Sequence, residues 1–359
     1  MAWQGVIGHD AIADAFRTSL ARGRLASSFL FVGPPGIGKR TFAVRLAAAL
    51  LCETRQEEWL DPCGQCPACQ QVAAGLHPDL LMVSKPADKS ELPLSLFVGE
   101  RERRNQEGLC HDIALRPARG KRRVAVVDDA DLLGEEAANS LLKTLEEPPP
   151  GSVLILIGTS PERQLPTIRS RCQVVRFRPP AAEDAAGLIA AALGISDPAE
   201  ALRLAVHAGG SMQRAAQLRD PQLWSFRHGL MLALADLPGN SVALGTRTVA
   251  FVEEAGKEAV ERRAQLRLVI EFASDFYRAL MRKLGGRAAD SADESLLEAV
   301  ERALRETPDW HEARAADCLD RCLQALSHLD RNAHLTTLTE CWIDDLAQWT
   351  AGHWVPAVS

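Results

Sequence analysis

The stretch LFVGPPGIGKRTFAVRLA, from Leu30 to Ala47, decides the fold. An apolar run enters a glycine-rich loop, and a segment of helical composition leaves it. The loop follows the pattern G-x-x-x-x-G-K-[ST] at Gly33, Gly38 and Lys39, but Arg40 stands where the pattern has a hydroxyl residue. A strand, a loop and a helix in this order predict a phosphate-binding loop.

The predicted loop has the groups that bind ATP or ADP but lacks a group that binds magnesium. Backbone N–H groups of Gly36, Gly38 and Lys39 are expected to point at phosphate oxygens. Arg40 is a permanent cation and cannot ligate Mg²⁺. Thr41 is a poor substitute because it lies one residue later, about 100° round the helix. We expect ATP or ADP binding without efficient turnover; the alternative is a glycine-rich turn that binds no ligand.

The whole sequence predicts an α/β part followed by an all-α part. Strand-like apolar runs alternate with helix-like segments, which implies a parallel sheet covered on both faces. These runs are SSFLFV (27–32), RRVAVV (122–127), SVLILIG (152–158) and QVVRF (173–177), all read as buried strands. After Pro179 and Pro180 no convincing strand occurs, and Leu, Ala and charged residues recur at helical spacing. The expected domains are 1–180, 181–221 and 222–359.

Composition and charge narrow the class of protein. The chain has 359 residues, 47% of them hydrophobic, so it is long enough for two or three domains with buried cores. Its net charge of −6 argues against non-specific coating of nucleic acid. No apolar run has the length of a membrane span, and the N-terminus lacks the layout of a signal peptide. A cytoplasmic location without membrane contact is expected.

Four of the nine cysteines lie close together in the sequence. Cys52, Cys63, Cys66 and Cys69 follow the pattern C-x₁₀-C-x₂-C-x₂-C. Pairs of thiolates at this spacing bind one ion, and four of them complete a tetrahedral structural Zn²⁺ site with no open position. A redox dithiol is the main alternative, but it leaves Cys52 unexplained; four independent buried cysteines are the weaker alternative.

Acidic residues follow one of the predicted strands. Asp128 directly follows the run VAVV, at the place where phosphate-loop proteins hold the Mg²⁺ shell, and the next residue often polarises the attacking water. Asp128 fits the first role, whereas Asp129 fits the second only approximately because a longer Glu is usual there. The alternative is that both aspartates, with Asp131, solvate the strand end or cap the next helix.

Taken together, these motifs resemble one family, the bacterial replicative clamp loaders, which are AAA+ proteins of the DNA polymerase III holoenzyme. The resemblance runs through about the first 220 residues. It includes VIGHDAIADAFRTSLARGRLASSFLFVGPPGIGK, the four cysteines and GLHPDLL, and its most specific parts are NSLLKTLEEPP (139–149) and LPTIRSRC (165–172). It implies an AAA+ domain with an inserted zinc module (about 52–69), a helical lid and a helical collar that forms a ring of five.

The resemblance also implies a role for Arg171, the arginine of SRC. In such assemblies this arginine reaches the nucleotide of the adjacent subunit, and a rigid, permanently charged fork suits a γ-phosphate. The alternative is a surface arginine paired with a neighbouring acid. The implied partners are gamma/tau motor subunits and the delta subunit in a hetero-pentamer, with the sliding clamp and primed DNA reached through the complex.

Three departures separate this chain from the motor subunits of the family. Arg40 replaces the magnesium hydroxyl, Asp129 replaces Glu, and Gln213 stands where the lid carries a nucleotide-sensing arginine. Thr159 retains the position of a polar sensor. All three changes predict weak or absent ATPase activity, which favours the stator subunit of the family. Whether the chain is an enzyme stays open. The alternative is an ATP-hydrolysing gamma/tau-type motor; a stand-alone DNA-binding protein fits less well.

Overall fold

The computed structural model describes residues 3–86, 89, 91–237, 239–287 and 293–352. Its residues form two compact units, Met1–Arg219 and Asp220–Ser359. The first unit contains a five-stranded, fully parallel sheet with the strand order β2-β3-β4-β1-β5. The strands are β1 Ser28–Val32, β2 Leu80–Val83, β3 Arg123–Val127, β4 Ser152–Ile157 and β5 Gln173–Arg176.

Ten helices surround or follow this sheet among the described residues of the first unit. They are α1 Asp10–Ala21, α2 Lys39–Leu51, α3 Pro67–Ala73, α4 Ser95–Val98, α5 Leu109–Ala114, α6 Glu135–Glu146, α7 Pro166–Arg169, α8 Ala182–Leu193, α9 Pro198–Ala208 and α10 Met212–Gln217.

The three inner strands are buried at every residue, as their continuous apolar runs predict. Alternate residues face opposite sides: Phe29 and Phe31 pack with α1 and α2, whereas Leu30 and Val32 pack with α5 and α6. The predicted parallel sheet with two covered faces is therefore confirmed.

The two edge strands differ from the predictions. QVVRF was read as a buried strand, but β5 pairs only with β1 among the described strands, and its residues are exposed or half-buried. The reason is its edge position, which leaves one side without a neighbouring strand. At the other edge, β2 was not predicted, because four residues are too few to show a periodic pattern.

The second unit is helical throughout its described residues. It contains α11 Pro221–Ala235, α12 Ser241–Glu254, α13 Ala259–Leu284, α14 Glu294–Glu306, α15 Glu312–Asp330 and α16 Leu335–Thr350. It begins with a local signal: the Asp220 carboxylate accepts a hydrogen bond from the Gln222 amide (2.9 Å), and Pro221 takes the first helical position. Helix α13 packs against the other five helices and contributes the largest set of buried residues.

The predicted all-α second part is confirmed, while the three-part division at residues 180 and 221 stays a prediction. Within the described residues no single helix is long and apolar enough to span a membrane. Only α8 and α9, bent by 112° between them, reach that length and apolarity as a pair.

Candidate functional site

The glycine-rich loop joins β1 to α2, as the motif predicts. Gly33, Gly36 and Gly38 have φ angles of 150°, 77° and 96°, which side-chain-bearing residues rarely adopt. A Cβ atom on Gly33 would lie 2.4 Å from the carbonyl oxygen of Phe177, and one on Gly36 would lie 2.0 Å from Oγ of Ser211. The loop therefore requires glycine both for its backbone conformation and for close packing.

Lys39 begins α2 and is buried against the loop that precedes it. Its Nζ donates hydrogen bonds to the carbonyl oxygens of Gly33 and Pro34, the latter at 2.6 Å. Burial lowers the pKa of Lys39, and the carboxylates of Asp131 and Asp128 oppose this change. The lysine is thus held in the loop, close to the acidic residues that follow β3.

Arg40 forms an ion pair with Asp128. The Nε atom of Arg40 lies 3.6 Å from Oδ2 of Asp128, whose Oδ1 accepts a hydrogen bond of 3.1 Å from the Asp129 amide. Burial and then the nearby Asp129 raise the pKa of Asp128; the Asp129 amide, Arg40 and Lys39 lower it. The structure brings Asp128 to the loop, as predicted, but its counter-ion there is an arginine.

Asp129 and Thr41 are on the surface. Asp129 is exposed and has a left-handed backbone with φ 55°, a conformation that Asp tolerates better than most residues. Thr41 is exposed on the first turn of α2. Their roles in nucleotide chemistry remain predictions.

The four clustered cysteines come together in three dimensions. Their Sγ atoms all lie within 4.8 Å of one another. Cys52 follows the end of α2, while Cys66 caps α3 and accepts a hydrogen bond of 3.4 Å from the Cys69 amide. The Cys66 amide donates to Sγ of Cys63 at 3.2 Å. Such N–H···S bonds stabilise thiolates, so both the geometry and the chemistry of the donors fit a zinc ion.

The thiols of this cluster differ in acidity. Hydrogen bonds from the Thr54 hydroxyl and the Gln65 and Cys66 amides lower the pKa of Cys63 to about 5. Burial raises the pKa of Cys69. A bound cation would favour the thiolate form of all four side chains.

Arg171 lies just after α7 and is paired with an acid from another helix. One of its terminal nitrogens donates to Oε1 of Glu146 at 2.6 Å. The other donates to the carbonyl oxygen of Thr167 at 2.9 Å and to Oγ of Ser170 at 3.2 Å. Its side chain is still 33% exposed. The surface ion pair that was weighed as an alternative is therefore present, and it leaves part of the guanidinium accessible.

Arg171 and the glycine-rich loop lie at opposite ends of the parallel strands. In the parallel pair β1–β5, Phe29 is level with Gln173 and Val32 with Arg176. The loop begins directly after Val32, whereas Arg171 comes two residues before Gln173. At about 3.3 Å per residue, the two positions are about 20 Å apart along the strands.

Comparison with known proteins finds a family that is similar to this α/β part. The family model described as "DNA polymerase III, delta subunit" matches residues 8–181. The match covers slightly less than half of the chain. The resemblance predicted from the motifs is thereby confirmed.

Individual relatives of this segment are DNA polymerase III subunits by name. The chain is 38% identical over 198 residues to DNA polymerase III subunit delta' of Pseudomonas aeruginosa, covering 55% of this chain and 57% of the relative. It is 34% identical over 219 residues to subunit delta' of Escherichia coli, covering 60% and 61%. Subunit tau of Salmonella typhimurium is 28% identical over 319 residues, covering 84% and 46%. The chain thus spans less than two thirds of these relatives, and the delta' matches support the delta-prime assignment.

A solved structure, of a DNA polymerase III gamma subunit-related protein from Thermotoga maritima, aligns with 93% of this chain and 99% of its own. The TM-score is 0.37 at 14% identity, and we base no conclusion on it.

Sequence reasoning named Asp131 only as a residue that solvates the strand end or caps the next helix, and it did not single out Gln164 or His9. Asp131 accepts hydrogen bonds from the amide and hydroxyl of Thr159 and from Nε2 of Gln164, the latter at 2.9 Å. His9 is buried, with Nε2 2.8 Å from the carbonyl oxygen of Ile37 in the loop. No sequence pattern pointed to these contacts, because each joins residues from separate elements.

The segment after α9 also reaches the loop. Ser211 is buried beside Gly36 and caps α10, where Oγ accepts a hydrogen bond of 3.3 Å from the Arg214 amide. Gln213, one residue earlier, is exposed. The lid position that carries a sensing arginine in the motor pattern thus carries an exposed amide here.

Proposed function

We propose that this protein is the delta-prime, or stator, subunit of a DNA polymerase III clamp loader. The similarity of its N-terminal half to delta' subunits carries this proposal. In the proposed assembly it joins gamma/tau motor subunits and a delta subunit in a hetero-pentamer within the cytoplasm. The complex loads the sliding clamp onto primed DNA, with ATP hydrolysed by the motor subunits.

Within this function, Arg171 acts on the nucleotide of an adjacent motor subunit. Its position supports action in trans, because it lies at the opposite end of the parallel strands from its own phosphate loop. The exposed part of its guanidinium is available to a neighbouring chain, and Glu146 and Thr167 hold its orientation. A fixed guanidinium stabilises charge that develops on the transferred phosphoryl group.

The chain's own ATPase activity is proposed to be weak or absent. Arg40 pairs with the aspartate that would organise a magnesium shell, and Asp129 is a short, exposed acid. Thr159 is bonded to Asp131 through both its amide and its hydroxyl. These contacts support the stator assignment over the motor assignment.

The experiment is reconstitution of the clamp loader from this chain and the motor and delta subunits of its own organism. Replacing Arg171 by Ala should reduce DNA-stimulated ATP hydrolysis and clamp loading by about 10³-fold at the affected site, the scale known for arginine fingers. Arg169→Ala is the matched control, because Arg169 is exposed on α7 two residues away. Normal hydrolysis and loading with Arg171→Ala would refute the proposed role.

A structural zinc ion is proposed for Cys52, Cys63, Cys66 and Cys69. The ion supplies a cross-link between the end of α2 and the start of α3, and a site filled by four sulfurs has no position for a reacting water. Metal analysis of the purified chain should give one zinc per chain.

The second candidate is a gamma/tau-type motor, since the match to a tau subunit covers more of this chain than the delta' matches do. An ATP-turnover assay on the isolated chain separates the two candidates. Robust activity that disappears with Lys39→Ala would favour the motor.

A further inference from the structure

The phosphate loop of this chain has a second fixed cation where the motif has a magnesium-binding hydroxyl. Arg40 follows Lys39 at the start of α2, and its Nε lies 3.6 Å from Oδ2 of Asp128. Asp128 is the acid whose position after β3 corresponds to the magnesium shell. At the two positions that would bind the metal, one residue is therefore a cation and the other is a carboxylate paired with that cation.

The carboxylates of Asp131 and Asp128 near the loop are already engaged within the protein. Both carboxylate oxygens of Asp131 accept hydrogen bonds, from Thr159 on one side and from Gln164 on the other. The free oxygen of Asp128 faces Arg40, and its other oxygen accepts from the Asp129 amide. Proteins usually bind magnesium through one or two side-chain oxygens, with water and phosphate oxygens completing the octahedron, whereas a guanidinium offers five donors and no acceptor and here stands beside the carboxylate. The residues present do not fit a magnesium ion.

We propose that this loop binds nucleotide phosphates without a divalent cation, with Arg40 in place of the metal. The proposal rests on nucleotide binding at this loop. Lys39 and Arg40 together supply two positive charges at a helix N-terminus, where phosphate oxygens are favoured. Arg40 has donors beyond the one that faces Asp128, so it contacts phosphate while Asp128 keeps it oriented.

Metal-free binding also fits the weak or absent ATPase activity proposed above. A bound metal bridges phosphate oxygens and neutralises charge that develops during phosphoryl transfer. A guanidinium neutralises charge but does not ligate and position an attacking water. Nucleotide held in this way serves as a bound structural ligand of the loop and the adjacent helical segment.

The test is calorimetric titration of the purified full-length chain with ADP, once in Mg²⁺ and once in EDTA. For the natural chain we expect dissociation constants that agree within about twofold, since no bond to metal is gained or lost. Arg40→Thr restores the hydroxyl of the motif. Its affinity should become at least about tenfold higher in Mg²⁺ than in EDTA, the equivalent of one charge-assisted contact.

Two further variants complete the experiment. Arg45→Thr removes an exposed arginine from the same helix and should behave like the natural chain. Arg40→Ser is a second hydroxyl variant, and circular dichroism checks that each variant is folded. Binding by the natural chain that is tenfold tighter in Mg²⁺ would overturn the proposal, as would an Arg40→Thr protein without magnesium dependence.

Failure of this inference is distinguishable from failure of the proposed function. If the natural chain binds no ADP in either buffer, metal-free binding is overturned, while assembly with motor subunits and the effect of Arg171→Ala remain intact. If ADP binds equally in both buffers but the chain does not assemble with motor subunits, the inference stands and the stator assignment falls.

Discussion

Single residues set the character of the phosphate loop. Gly33 fits only because it has no side chain, since the backbone of Phe177 approaches it closely. Lys39 donates to the loop's own carbonyl oxygens, and Arg40 neutralises Asp128. Each of these contacts keeps the shape of the loop while altering the chemistry that the motif usually supports.

Gly33→Ala should destabilise the first unit by about 1–3 kcal/mol, because it combines an unfavourable φ with a clash against a backbone oxygen. Urea unfolding followed by circular dichroism measures the change in midpoint. The control is Gly187→Ala in α8, where a new Cβ meets no atom within 4 Å and the helix gains propensity. Equal midpoints for the Gly33→Ala protein and the natural chain would contradict the close approach.

Asp128→Asn should raise the stability of the isolated chain slightly at neutral pH. Because burial raises the pKa of Asp128, the folded state holds its proton more tightly than the unfolded state does. Ionisation of Asp128 therefore lowers the free energy of unfolding. This loss is fully present above the pKa of the folded state and absent below the unfolded-state pKa of about 3.9. The extra stability of Asp128→Asn should disappear as the pH falls from the folded to the unfolded pKa. Denaturant midpoints of both proteins, measured between pH 7 and pH 3, test this. A loss of stability at pH 7 would show that the Arg40 pair outweighs burial.

Secondary-structure elements bring the predicted groups together or separate them. The cysteine cluster lies between the end of α2 and the first turns of α3, so a short segment of chain carries all four of its thiols. The parallel pairing of β1 and β5 places the loop at the carboxyl end of one strand and Arg171 before the amino end of the other. Helix α6 ends at Glu146, which pairs with Arg171. Helix α6 buries Ala137, Leu141 and Leu145, whereas Leu142 is half-buried.

Removal of zinc should lower the melting temperature of the chain by about 5–10 °C, since bound metal stabilises the folded state by mass action. The measurement is thermal unfolding before and after treatment with a strong chelator. Cys66→Ser should reproduce the loss and release the metal. Cys341→Ser is the control, because Cys341 is exposed and lies outside the cluster. An unchanged melting temperature after the metal has been removed would contradict a structural role.

At the scale of the whole molecule, the chain consists of two compact units. The first contains the sheet, the phosphate loop, the cysteines and Arg171, and the second is a helical unit built around α13. The resemblance assigns ring formation to the helical part, and the curated relatives are subunits of a larger polymerase assembly.

Deleting residues 220–359 should abolish co-elution of this chain with gamma/tau and delta subunits in size-exclusion chromatography. The physical reason is that the predicted collar provides the contacts that close the ring. The complementary chain 220–359, produced alone, should still co-elute with the motor subunits. If residues 1–219 alone still co-elute fully with those subunits, the assembly surface lies on the α/β unit instead.

The sequence alone determined the local features: the strand–loop–helix around Gly33, the buried inner strands, the helical second unit and the cysteine cluster. These depend on periodicity and short spacings, which neighbouring residues specify directly. Only the tertiary structure decided that Arg40 faces Asp128, that Glu146 pairs with Arg171, and that QVVRF forms an exposed edge. Those facts follow from strand order and long-range packing, which bring together residues far apart in the chain and leave no periodic trace in the sequence.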